Sequence, residues 1–461
     1  MKKYFLDPFG CVKNQVDAEN MMAHLNNAGW ENVSEADPAD LIIVNSCGFI
    51  ESAKQESINA VLEWRKLYPE KKILLTGCLS QRYAKELSGV LTEADGFMGV
   101  EDPAQIVEKA FDFFREEFTQ RRRTFGSQGA ENTEKKEAIN SFSTGNRPLL
   151  SLPGSAYVKI SEGCNNNCSY CAIPLIRGSL RCRSIPEILE ECRALLARGI
   201  KELCIIGQDI GSYKVTDTFS TGLPELLNAI AALEGHFWVR LLYIHPDHFP
   251  LPILDLMEKD NRILPYFDIP FQHASSRILA AMNRKGTAEK YLTLLKTIRA
   301  RLPHAVIRST FLLGFPSETE EDFAALLDFQ QKAKLDWVGC FAYSREEGTA
   351  AYSMKARVLA KIAEKRKQTI EERQIPITEK NMERFTGQTL EVLIEEQFNS
   401  AAESDEQLWL GRLYCQAPDI DGSAVIIGDK ADTRETSLPP GILAKCKVLT
   451  RRGFDLEVRV I

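Results

Sequence analysis

The stretch SEGCNNNCSYCAIP (residues 161–174) carries cysteines at 164, 168 and 171 directly after the apolar run AYVKIS. NNNCSY is too polar for a core, so these thiols belong to a loop. The spacing Cys164-x3-Cys168-x2-Cys171 lets three thiolates hold three corners of a cuboidal iron-sulfur cluster, with the fourth iron left open. A structural zinc is the alternative, with a fourth ligand from Cys182 or a histidine elsewhere. Downstream, the apolar runs ELCIIG, FWVRLLYI, YFDIPF, AVIRSTFLLGF and LDWVGCFAYS alternate with helical patterns such as SIPEILEECRALLARG and ETEEDFAALLDFQQKA. Six βα units close most of a barrel, whose chemistry lies at the carboxyl ends of its strands. The three cysteines follow the first strand, at that end.

Upstream, KYFL, LIIVN, KILLTG and GFMGV alternate with amphipathic stretches such as VDAENMMAHLNNAG and ESAKQESINAVLEWRKL. This period predicts βαβ units on a doubly wound parallel sheet. Cys11, Cys47 and Cys78 each follow a different strand, beside Gly10, Gly48 and Gly77. Loops at that edge of a parallel sheet converge on one crevice, so three residues distant in sequence become neighbours. From Thr389 the pattern changes to TLEVLIEEQ, WLGRLYCQAP, SAVIIG, GILAKCKVL and GFDLEVRVI, punctuated by DIDG, PPG and RRG. Short strands between such turns predict a small antiparallel β-barrel of five strands. The expected organisation is an α/β chain with a sheet domain over residues 1–120, a linker over 121–150, a partial (βα)6 barrel over 151–383 and the small barrel over 384–461. The RRR of the linker reads most simply as a solvated charge run.

The chain has 461 residues, 44% of them hydrophobic, and 57 basic against 64 acidic side chains, a formal net charge of -7. It therefore lacks the overall basic excess of a protein that grips nucleic acid through phosphate. MKKYFLDPFG has no apolar segment of a signal peptide, and no apolar run reaches the roughly 18 residues of a membrane span. A cytoplasmic protein with no membrane association is expected. Twelve cysteines in such a chain point to metal ligands mixed with buried thiols rather than disulfides. Cys182, Cys192, Cys204, Cys340, Cys415 and Cys446 lack metal spacing and are expected mostly in the core.

CNNNCSYC after a strand resembles the CxxxCxxC motif of the radical S-adenosylmethionine enzymes. The order of a three-cysteine domain, a radical barrel and a small β-barrel resembles the methylthiotransferases, whose terminal module is the OB-like TRAM domain. The resemblance implies two [4Fe-4S] clusters: an auxiliary one on Cys11, Cys47 and Cys78, and the radical one on Cys164, Cys168 and Cys171. It also implies S-adenosylmethionine as cosubstrate on the open iron, cleaved reductively to a 5′-deoxyadenosyl radical. Two molecules would be consumed, one for the methyl group and one for the radical. Further implied are an electron donor such as flavodoxin or ferredoxin, a sulfur donor and a monomeric enzyme.

FGCVKNQVDAE, NSCGFIESAKQESI, GCNNNCSYCAIPLIRG and IPFQHASSRILAAMNR look like the branch that modifies the β-carbon of an aspartate in ribosomal protein S-twelve. The branch that modifies adenosine in transfer RNA typically reads GCQMN, NTCAVR and QSGS there, and it is the alternative. Asp7-Pro8-Phe9 before Gly10 departs from the usual small residues. Residues 384–461 hold nine Lys or Arg and thirteen Asp or Glu. That acidic balance suits a basic protein partner better than RNA, with Asp419, Asp421, Glu403, Asp405 and Glu406 as candidate contacts. The same resemblance puts Tyr170 at the cosubstrate's adenine; Gly207, Gln208 and Asp209 end the second barrel strand, where glycine lets backbone approach a ligand, and are candidates to touch the cosubstrate's amino group. Arg308 is a further candidate cosubstrate contact. His245 and the pair Gln272 and His273 end the third and fourth strands, where substrate should sit, and Gly314-Phe315-Pro316 marks the fifth.

Overall fold

The computed structural model describes residues 1–100, 102–115, 145–216, 220–398, 406–429 and 438–461. The expected linker lies largely outside them, as do its three arginines, Glu403 and Asp405. The first sheet contains the strands Lys3–Pro8, Glu31–Asn32, Leu41–Ser46, Lys72–Gly77 and Gly96–Met98, all paired in parallel. Numbered along the chain, their order is 2-1-3-4-5. Ile42 and Val44 face one side of this sheet, and Leu41 and Ile43 the other. Both faces of a doubly wound sheet are covered by helices, so its central strands read as unbroken apolar runs.

The second sheet holds six parallel strands in sequence order, Ser155–Lys159, Glu202–Ile206, Trp238–Leu241, Ile263–Asp268, Val306–Leu313 and Trp337–Ala342. Side chains alternate between its faces with period two. Val158, Leu203, Ile205, Leu241, Phe267 and Ile307 pack outward with the helices. Tyr157, Cys204, Leu242, Tyr266 and Trp337 point inward and share a core with Trp409, Leu413 and Cys415 of the terminal module. That module is a closed five-stranded barrel of Thr389–Phe398, Glu406–Leu413, Ala424–Asp429, Leu443–Arg452 and Asp455–Val460. One of its pairings, Ala424–Asp429 with Asp455–Val460, is parallel.

The terminal barrel thus caps the inner face of the open sheet, and charge follows it inside. Glu202, fully buried, accepts from Arg240 Nε at 2.7 Å and from Arg412 Nη2 at 2.6 Å. The Asp421 side chain is 1% exposed, with Tyr266 Oη at 2.6 Å and Arg308 Nε at 3.5 Å. Asp421 therefore cannot be the surface contact expected from the acidic composition, because desolvation and the docked arginine hold it inside. Burial pushes its carboxyl up to about 6. Asp419 is exposed. Cys192, Cys204, Cys340, Cys415 and Cys446 are buried and Cys182 is half-buried, so most of the cysteines without metal spacing do lie in cores.

Candidate functional site: two thiol trios joined by a buried network

The radical loop is shaped by its asparagines. Asn165 Oδ1 accepts from Leu180 N at 3.0 Å, Asn166 Nδ2 donates to Asp209 Oδ2 at 2.9 Å, and Asn167 takes the left-handed conformation at φ 50°. Asparagine tolerates that region better than most residues. Gly163, at φ 76°, lets the chain pass where a Cβ would stand 2.2 Å from the Ser179 carbonyl oxygen. Cys171 N donates to the Cys168 carbonyl at 3.0 Å, closing the turn between those two thiols. Burial pushes the Cys171 thiol up to about 12, so the free sulfur is neutral. A coordinating metal deprotonates such a thiol outright.

Asp209 gathers this end of the barrel. Beside Asn166 it accepts from Ser212 Oγ at 2.6 Å, His248 Nδ1 at 2.9 Å and the His245 N–H at 3.0 Å. Burial opposes its ionisation, but these donors win and hold the carboxyl well below the usual range. Gln208 Nε2 donates to Glu162 Oε1 at 2.8 Å, and Gly207 leaves no room for a Cβ, which would meet Ser161 Oγ at 2.6 Å. Tyr170 packs among Ile278, Met282 and Phe315, and its Oη accepts from Arg284 Nη1 at 3.0 Å. Gln272 holds a left-handed φ of 68° at the end of the fourth strand. His273 is fully buried, its Nδ1 accepting from Ser275 N at 3.0 Å. Burial pushes its pKa, and that of His245, down to about 4. Arg308 is the third residue of its strand, in register with Asp268 at the end of the fourth, and its guanidinium is committed to Asp268 at 3.3 Å and to Asp421.

On the first sheet, Cys11 caps the helix Val12–Asn27, Cys47 follows Leu41–Ser46, and Cys78 begins the helix Cys78–Val90. Cys11 and Cys47 flank the point where the strand order reverses, the position at which open α/β sheets form their crevice. A Cβ on Gly10 would lie 3.5 Å from Cys47 Sγ, and one on Gly48 only 2.6 Å from the Cys78 carbonyl oxygen. The glycines thus permit the three loops to close on one another. Asn14 fastens them: its Nδ2 donates to Phe9 O at 2.7 Å and Ser46 O at 3.1 Å, and its Oδ1 accepts from Cys78 Sγ at 3.8 Å.

The auxiliary trio meets the segment after the radical loop through Arg177, in the short helix Ile173–Arg177. Its Nη2 donates to Cys78 Sγ at 3.3 Å, while Nη1 pairs with Asp17 and Glu162, each at 2.9 Å. Burial pushes the Cys78 thiol up to about 12 against the pull of Arg177. Glu162 also holds Lys159 at 2.6 Å. A buried network therefore runs from Cys78 through Arg177 and Glu162 to Gln208. Ala172 and Ile176 pack against Cys78 and keep the junction dry. A second junction joins the sheet to the barrel, with Glu346 taking Lys54 at 3.0 Å and Arg82 at 2.7 Å. Asn14, Arg177 and Glu162 lie inside motifs quoted above, but nothing in their spacing marks them.

The donor sets suit iron-sulfur clusters. Each has three thiols with glycine or asparagine turns behind them, and a nearby basic side chain, Arg177 or Arg284, offsets thiolate charge. Among the described residues, no three His, Cys, Asp or Glu side chains are gathered as for a single ion. A cuboidal cluster takes each thiolate on a different iron and so keeps them further apart.

Residues 3–99 match the model of Uncharacterized protein family UPF0004, residues 158–329 that of the Radical SAM superfamily, and residues 386–461 that of the TRAM domain. A solved radical S-adenosylmethionine methyltransferase, TsrM from Kitasatospora setae, superposes with a TM-score of 0.54 at 16% identity, over 76% of this chain and 74% of that one. The chain is thus a radical S-adenosylmethionine enzyme, with S-adenosylmethionine and [4Fe-4S] clusters as its cofactors.

Relatives named ribosomal protein uS12 methylthiotransferase RimO are similar over nearly the whole length. The Treponema denticola protein is 44% identical over 98% of this chain and 99% of its own, and that of Syntrophomonas wolfei 41% identical over 97% of both. The chain belongs to the RimO family of methylthiotransferases.

Proposed function

We propose that this enzyme inserts a methylthio group at the β-carbon of an aspartate in ribosomal protein S12, using two four-iron clusters and two molecules of S-adenosylmethionine. The observation that carries this reading is a second thiol trio docked, at Cys78, on Arg177 and Ala172 of the segment that directly follows the first. A radical enzyme that only cleaved its cosubstrate needs the first alone. Cys164, Cys168 and Cys171 hold the radical cluster, and Cys11, Cys47 and Cys78 the auxiliary one. When bound, the first supplies the electron for reductive cleavage of S-adenosylmethionine, and the second supplies the sulfur that is methylated and transferred.

The chain's own residues do the rest. Asp209 and Asn166 fix the radical loop against the barrel mouth, Gln208 and Tyr170 flank the cosubstrate, and Gln272 with His245 line the side from which the aspartate enters. Arg177 and Glu162 keep the trios in register, and Ala172 and Ile176 exclude water between them. The RimO names of the relatives support the ribosomal substrate; with that reading go a cytoplasmic location, a protein electron donor and a sulfur donor. Among the described residues no helix is long and apolar enough to cross a membrane.

The test is mass measurement of ribosomal protein S12 and of transfer-RNA nucleosides from cells with and without this enzyme. A methylthio mass lost from the aspartate upholds the reading. A loss confined to transfer-RNA adenosine transfers the enzyme to the other branch.

A further inference from the structure

Lys13 stands two residues beyond Cys11 in the first turn of its helix and is 7% exposed. Its ammonium lies over the ring of Tyr243, 2.9 Å from the centroid. Tyr243 follows the third barrel strand with φ 68°, a left-handed conformation that a bulky residue rarely adopts, and that backbone aims the ring at the helix. Among the described residues, every other buried lysine or arginine except Arg284 holds a carboxylate. Lys13 holds none. The acids nearest it electrostatically, Asp268 and Glu162, are taken by Arg308 and by Lys159 with Arg177. Positive charge beside the auxiliary thiols is already supplied by Arg177, in contact with Cys78. Lys13 is therefore a desolvated cation between the auxiliary trio and the barrel mouth, with an aromatic face as its support, the Cys11 thiol as the nearest group of opposite charge and no carboxylate in contact.

We infer that Lys13 receives the side-chain carboxylate of the residue being modified and so selects an acid over its amide. This rests on the reading that a ribosomal aspartate is the substrate. Burial of a cation costs much unless an anion joins it, and a carboxylate brought by the substrate is that anion. A charge-assisted hydrogen bond to Nζ would fix the carboxylate, and with it the β-carbon, between the two trios. An amide offers a weaker acceptor and no charge, so a site built around the ammonium discriminates against it.

The experiment uses the cluster-loaded enzyme under argon and isolated ribosomal protein S12, natural or with its target aspartate replaced by asparagine. Dissociation constants are measured for both, and their ratio is insensitive to incomplete cluster loading. The natural enzyme should favour the aspartate form by roughly tenfold to a hundredfold. Lys13→Met should bring the ratio near one by weakening the aspartate form alone, and Lys13→Arg should restore part of it. Lys13→Gln, which keeps the chain length and a polar end, is read in the same way if the methionine variant fails to fold. A ratio left at its natural value by these substitutions overturns the inference. So does a shifted electron paramagnetic resonance spectrum of the auxiliary cluster with an unchanged ratio, which would make Lys13 a residue that tunes the cluster. If the natural enzyme binds neither form and methylthiolates transfer RNA, the ribosomal reading falls and Lys13's role with it. A natural enzyme that prefers aspartate while its variants do too removes the role of Lys13 alone.

Discussion

Cys164, Cys168 and Cys171 share one short loop, whereas Cys11, Cys47 and Cys78 sit at the ends of three separate strands. The first trio is brought together by local turns, three asparagines and a glycine. The second exists only once a parallel sheet has formed, its glycines have let the loops approach, and Arg177 has crossed from the neighbouring domain. Closing a short loop carries little entropic cost, and assembling distant strand ends carries more. The auxiliary trio should therefore be the more fragile of the two, and its sulfurs the more sensitive to remote substitutions.

The strongest way to break this comparison is to delete one trio at a time. Cys11, Cys47 and Cys78 replaced together by alanine should halve the iron, abolish methylthiolated product and leave reductive cleavage of S-adenosylmethionine intact. The reciprocal variant of Cys164, Cys168 and Cys171 should also keep half the iron yet lose cleavage. Iron assay and 5′-deoxyadenosine formation decide it, and full iron in the first variant would remove the auxiliary site.

Next in size is Arg177→Met. It leaves Asp17 and Glu162 with one buried cation fewer, a loss on the order of 3–5 kcal/mol. The thermal midpoint should fall and a chelator should strip the auxiliary iron well before the radical iron. Equal rates of loss would show that the two trios do not differ in dependence on the interface.

A pH prediction sharpens the radical side. His273 has its pKa pushed down by burial to about 4, against an unfolded value of about 6.5. Below pH 6.5 the unfolded chain takes up a proton that the fold refuses, so stability falls as pH drops towards 4. At pH 5 the contribution is about 2 kcal/mol. His273→Gln should remove that share of the loss between pH 7 and 5, as read from thermal midpoints of the loaded enzyme. His245, with the same direction of shift, would retain its own share. The smallest effect belongs to Asp419→Asn: an exposed turn residue should change stability by less than about 0.5 kcal/mol, whereas Asp421→Ala should open the docked terminal barrel.

Much of this was legible in the sequence. The spacing of the radical cysteines defines a local object, and local objects survive translation into structure. The period of strands and helices placed Cys11, Cys47 and Cys78 at one sheet edge, although the two-residue strand Glu31–Asn32 was too short to show and with it the reversal of strand order. What sequence could not carry was pairing across domains. Arg308 reads equally well as a cosubstrate contact or as a partner of Asp421, and only the docking of the terminal barrel decides. A count of acids in residues 384–461 likewise cannot tell that Asp421 is buried under Tyr266 or that Glu395 is spent on Arg412. Arg177, Asn14 and Lys13 escaped notice because their roles depend on neighbours far along the chain.

The pairing of Glu202 with both Arg240 and Arg412 has a consequence for biosynthesis. Arg412 leaves the ribosome long after the strand that carries Glu202, so a nascent barrel waits with an under-neutralised acid and an uncovered apolar face. Chains that stop before Thr389 keep that face open to proteases, and synthesis of the small barrel closes it. Neutralisation of Glu202 and cover for the inner face of the barrel thereby arrive together, with one module.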